Sequence, residues 1–125
     1  MSIKIDTVII EPDSTSRELI RTYLEKVEDI NLIGEFDDAI NSYAQINEMH
    51  PNLIIVDISE RTQLTLDTIV KFSKNLRNSK IIVLSYNADS ELVIKSLRAG
   101  AREYLIKPLI EDDFIQSVEK IKDLI

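Results

Sequence analysis

Five short apolar runs, separated by longer stretches in which apolar residues recur every three or four positions, constrain this chain more than any other feature. The runs cover residues 6–10, 31–36, 53–57, 80–85 and 103–106. The third and fourth, Leu53-Ile54-Ile55-Val56 and Ile81-Ile82-Val83-Leu84, are almost unbroken, the pattern of strands covered on both faces. The second is more polar and suits a place nearer a sheet edge.

The intervening stretches read as helices. Leu19, Ile20, Tyr23, Leu24 and Val27 recur at helical spacing, with either a Thr15–Glu18 capping box or Asp13 as the start. A second helix is predicted over 38–49, stopping before Pro51. A third covers 65–76, with Leu66, Ile69, Val70 and Phe72 as its apolar positions. A fourth covers 90–98 and ends at Gly100. The fifth covers 111–124, opening on three acids that suit a helix N-terminus and burying Phe114, Val118, Ile121 and Ile125. Strands alternating with helices imply right-handed crossovers and a mostly parallel sheet with helices on both faces. The 125 residues fit one such domain, 1–125, standing alone or as the N-terminal part of a longer regulator.

Composition removes several function classes. With no cysteine, disulfides and thiolate-ligated metals are excluded, and the single histidine, His50, cannot build a histidine metal cluster. His50 precedes Pro51 and reads as a surface or capping residue. The net charge of -7 argues against broad contact with nucleic-acid backbones. No stretch approaches the ~20 apolar residues of a membrane span, and residues 1–7 lack the apolar core of a leader, so the expected location is the cytoplasm. The two glycines, Gly34 and Gly100, form no phosphate-cradling loop, which disfavours a nucleotide binder.

In an open parallel sheet, function gathers beyond the carboxyl ends of the strands. Those ends carry Glu11-Pro12-Asp13, Asp57, Ser85 and Lys107. A carboxylate such as Asp57 can attack a phosphoryl donor and form an acyl phosphate, or it can simply cap a helix. Glu11 and Asp13 could add acidity beside it, which a hard cation such as Mg²⁺ would offset; alternatively, Asp13 caps the first helix and Glu11 faces water. Ser85 could donate to a phosphoryl oxygen and Lys107 could supply positive charge, although each is unremarkable alone. Their order on strands 1, 3, 4 and 5 carries the weight.

These residues, with Leu84-Ser85-Tyr86, Ala99-Gly100-Ala101, Glu103-Tyr104-Leu105, Lys107-Pro108 and Ile55-Val56-Asp57, make the chain resemble the receiver domains of two-component response regulators over essentially its whole length. The resemblance implies a flavodoxin-like α/β fold, a five-stranded parallel sheet ordered 2-1-3-4-5. It implies Asp57 as phosphoacceptor from a histidine kinase or phosphotransfer protein, with Ser85 touching the phosphoryl group and Lys107 pairing with it. The Lys107-Pro108 bond is often cis in the family. Tyr104 matches the aromatic switch residue, and the face of helix 4, strand 5 and helix 5 would bind an effector domain or a second copy. Mg²⁺ would sit on Glu11, Asp57 and the Ser59 carbonyl, with Asp13 as a further candidate. No direct contact with nucleic acid or membrane is implied.

Three departures qualify that picture. Pro12 stands where the family places a direct metal ligand. The loop after Asp57 reads Glu60-Arg61 and Gln63-Leu64-Thr65, without the family's proline and glycine. Tyr86 replaces a small residue beside the site. These changes resemble atypical receivers, including the receiver-like domains of pilus-assembly ATPases, and raise a second reading: a docking module that needs no phosphorylation.

Overall fold

The computed structural model describes residues 3–125, so the leader reading of residues 1–7 falls partly outside it. The elements alternate as β1 (Ile5–Ile10), α1 (Ser14–Leu24), β2 (Ile30–Phe36), α2 (Ala39–Met49), β3 (Leu53–Asp57), α3 (Thr62–Asn75), β4 (Lys80–Ser85), α4 (Ser90–Ala99), β5 (Glu103–Ile106) and α5 (Glu111–Lys122). The strands form one parallel sheet in the order β2-β1-β3-β4-β5, the flavodoxin-like arrangement. The polar second strand lies at an edge, and β3 sits in the middle.

Successive strand residues point to opposite faces, so each central strand feeds two cores. Ile54, Val56, Ile81 and Val83 pack with Ile46, Ile69 and Phe72 under α2, α3 and α4. Leu53, Ile55, Ile82 and Leu84 pack with Ile20, Leu24, Phe114 and Val118 under α1 and α5. All five residues of β3 are buried, which explains its unbroken apolar run. Truncating one of these large core residues to alanine costs about 2–5 kcal/mol.

One open alternative is decided and three local expectations are corrected. Asp13, not the Thr15–Glu18 box, starts α1: its Oδ2 accepts from Ser16 N at 2.8 Å. Asp38 is the cap of α2 rather than its first turn, accepting from Ile40 N at 2.8 Å. Helix α3 begins three residues earlier than its apolar spacing indicates, with Arg61 as the preceding residue in left-handed conformation. Leu19 and Ile125, expected on apolar faces, are exposed, and α5 ends at Lys122 before Ile125. His50 terminates α2 in left-handed conformation, the capping role expected of it.

Gly100 closes α4 at φ +132°, a region that L side chains avoid. A Cβ there would lie 1.7 Å from Ser73 Oγ, which donates to Ala99 O at 2.9 Å and ties α3 to the end of α4. No helix among the described residues is long and apolar enough to cross a membrane.

Candidate functional site

The carboxyl ends of β1, β3 and β5 converge on a buried charged trio. Glu11, Asp57 and Lys107 are only 1%, 5% and 6% exposed. Lys107 Nζ donates to Glu11 Oε1 at 2.6 Å and to Asp57 Oδ2 at 2.8 Å. Two buried carboxylates so close repel each other, and the single ammonium between them leaves the trio one negative charge in excess.

The titration behaviour follows from that geometry. Burial pushes the Glu11 carboxyl above its ordinary value; hydrogen bonds from Lys107 and the Asp13 N–H pull it partly back, and the Asp57 charge adds to the rise. Burial alone would lower Lys107. The hydrogen bonds to Asp57 and Glu11 outweigh it and hold the ammonium above its ordinary value.

Asp57 is further fixed from its own loop. Its Oδ1 accepts from Ser59 N at 2.8 Å, and its Oδ2 accepts from Ser59 Oγ at 3.1 Å. The loop is held against the sheet where Ile58 N donates to Leu84 O at 2.9 Å. This adds a side-chain role for Ser59, which the sequence singled out only for its carbonyl.

Ser85 lies at the end of β4, one residue beyond Leu84, the neighbour of Asp57 across the sheet. Its Oγ is buried and accepts from Asn87 N at 3.0 Å. Tyr104 donates its hydroxyl to Asn87 O at 2.6 Å. Asn87 therefore joins Ser85 to Tyr104 through its two backbone groups. Nothing in its side-chain type announces this, so sequence reasoning missed it. The Lys107–Pro108 peptide is cis. Tyr86 is 61% exposed, and its ring centroid lies 4.7 Å from Lys107 Nζ, a cation–π contact that roofs the ammonium.

The donor set does not fit a resident Mg²⁺. Such an ion keeps several waters in its octahedron but still needs one or two carboxylates free to bind it. Pro12 has no side-chain oxygen, Glu11 and Asp57 both face Lys107, and Asp13 is turned to its helix cap instead of the trio. Among the described residues no group of three histidine, cysteine or acidic side chains could hold a metal. The Ser59 carbonyl remains the one further oxygen singled out from the sequence.

A parallel sheet ordered 2-1-3-4-5, with acid, Asp, Ser and Lys at successive strand ends, defines a two-component receiver domain. The sequence matches the response regulator receiver domain over residues 7–119, and the chain belongs to that family. It is 27% identical over 110 residues to YhcZ of Bacillus subtilis, an uncharacterized transcriptional regulatory protein, covering 88% of this chain and 51% of YhcZ. It is 23% identical over 114 residues to the chemotaxis protein CheY of Thermotoga maritima, covering 91% and 94% of the two chains. The chain thus spans about half the length of several relatives it matches. A response regulator structure from Thermotoga maritima shares the fold with TM-score 0.86 at 23% identity, covering 97% of this chain and 99% of that one.

Proposed function

We propose that this chain is a phosphorylatable receiver unit, residues 1–125, in which Asp57 takes a phosphoryl group from a phosphohistidine of a kinase or phosphotransfer protein. The observation that carries this reading is the Lys107 ammonium held 2.8 Å from Asp57 Oδ2 in a buried site. In the reaction an Asp57 carboxylate oxygen attacks phosphorus, the donor's P–N bond breaks, and its electron pair returns to the imidazole. The product is an acyl phosphate, whose added charge Lys107 meets at close range and low dielectric.

Ser85 and Tyr104 give the site a route outward. The Ser85 hydroxyl can donate to a phosphoryl oxygen while its Oγ accepts from Asn87 N, so a shift of Ser85 toward the phosphoryl group would pull on Asn87, whose O holds Tyr104. Loss of that arrangement frees Tyr104 on β5. Around it, Ile94, Leu97, Ile106 and Ile110 leave apolar side chains exposed on α4, β5 and the approach to α5. That face suits an effector domain or a second copy of the chain.

A second reading has its own observation. Pro12, the capped Asp13 and the Tyr86 ring favour a docking module that works without phosphorylation. Incubation with a small phosphoryl donor, followed by intact mass and amide NMR, separates the two. One phosphoryl mass on the wild type, absent from Asp57→Asn, with shifts at Ser85 and Tyr104, supports the phosphoacceptor. No adduct and no shifts would move the assignment to the docking module.

A further inference from the structure

We propose that Arg61, rather than a divalent cation, supplies the second positive charge to the phosphoryl group at Asp57. The inference rests on the phosphoacceptor reading and deepens it. Its starting point is the mismatch between the donor set and a metal: Pro12 stands in the wall where a ligand would be needed.

A small cavity of about 30 Å³ opens beside Asp57, and Pro12, Asp37, Asp38, Glu60, Arg61 and Thr65 are among the residues that line it. Arg61 lines the same cavity as Asp57. Of the other carboxylates there, Asp37 and Asp38 are engaged elsewhere and Glu60 is exposed to solvent. Asp37 accepts from Arg17 Nη1 at 2.6 Å, and Asp38 caps α2 through Ile40 N and Asn41 N. The contact of Arg61 Nη1 with Asp38 Oδ2 is long, 4.0 Å, and the Arg61 side chain is half exposed. The guanidinium therefore has donors left for a new anion.

Phosphorylation turns one carboxylate charge into a dianion. Lys107 is already shared with Glu11, so one cation does not offset the change. A guanidinium presents a planar pair of N–H groups that matches two phosphoryl oxygens, and it stays charged at every physiological pH. The Ser59 N–H, which already donates to Asp57 Oδ1, adds a neutral donor. Arg61 would act in direct contact with the transferred group.

The test uses acetyl phosphate, whose P–O bond breaks to release acetate as Asp57 is phosphorylated, with initial rates read by intact mass. Wild type, Arg61→Gly and Arg61→Lys are each run with millimolar Mg²⁺ and with EDTA. Glycine is chosen because Arg61 already has φ +49°, so the backbone keeps its path. The wild-type rates agree within about twofold between Mg²⁺ and EDTA if no metal is needed. Arg61→Gly falls about tenfold or more, and Arg61→Lys recovers part of the loss. Mg²⁺ alone moves no amide of residues 57–59 in the NMR spectrum. A rate that requires Mg²⁺, saturable Mg²⁺ shifts at those amides, or an Arg61→Gly rate equal to wild type overturns the inference and leaves the phosphoacceptor intact. No wild-type adduct under either condition overturns both.

Discussion

At the carboxyl edge of the sheet, the β4–β5 side and the β1–β3 side differ in construction. On the first, Ser85, Asn87, Tyr104 and Lys107 form short bonds to one another or to the trio, all within 3.0 Å. On the second, Glu11 and Asp57 keep one acid each, followed by Pro12 and by a loop whose turn is made by Arg61 at positive φ. On the proposed reading, the first side would hold an anion and relay its arrival. On the same reading, the second side offers a cation little, since Pro12 has no side-chain oxygen and both acids bond Lys107. The difference teaches that these two tasks are separable in this fold, because they hang from different strands that share only the Asp57 carboxylate and Lys107.

Removing the shared cation should break the comparison most severely. Lys107→Met leaves Glu11 and Asp57 buried, close and uncompensated, which costs about 3–5 kcal/mol in urea unfolding. Asp57→Asn should cost far less, about 1.5 kcal/mol at most, since Lys107 keeps Glu11 and the carboxylate repulsion is relieved. If the two variants lost equal stability, the trio would not be held together by the ammonium.

The pH dependence sharpens the same point. Lys107 is held above the ordinary lysine value of 10.5, so its contribution is fully present below that pH and disappears as pH rises through the folded value. Glu11 is raised above 4.5, so the folded state binds more protons than the unfolded one just above that pH. Stability supplied by Glu11 therefore falls as pH rises through its folded value. Urea midpoints measured across pH should show both losses in wild type, and the alkaline loss should shrink in Lys107→Met.

Two smaller effects separate the roof from the turn. Tyr86→Ala removes the ring over Lys107 and should cost about 1 kcal/mol while speeding small-donor access. An unchanged labelling rate would mean that the ring does not restrict entry. Arg61→Gly should be neutral or stabilising by about 0.5 kcal/mol, because glycine adopts positive φ without strain; a clear destabilisation would mean that the Asp38 contact matters more than its length suggests.

Much of the fold was legible because β3 and β4 are unbroken apolar runs, whose bounds the structure reproduces. The fold order itself came through resemblance, since apolar periodicity says nothing about which strands are neighbours. Competing local signals caused the errors. Thr15–Glu18 and Asp13 both read as caps, and only the turn after Pro12 decides between them. The start of α3 was hidden because Arg61 takes left-handed φ in a loop anchored by the Ile58–Leu84 backbone bond, a tertiary constraint. Glu11, Asp57 and Lys107 were readable as strand-end residues. Their meeting depends on Lys107 reaching across 96 positions of sequence to Glu11, which only the sheet order supplies. The link from Ser85 to Tyr104 uses only the backbone groups of Asn87 and left no trace in that residue's type.

The most direct measurement is to label the protein with acetyl phosphate, trap the product with borohydride, which reduces an aspartyl phosphate to homoserine, and sequence the peptides by mass spectrometry. The account predicts homoserine at position 57, absent from Asp57→Asn and strongly reduced in Lys107→Met. Homoserine at another acid, or none at any position in the wild type, would contradict it.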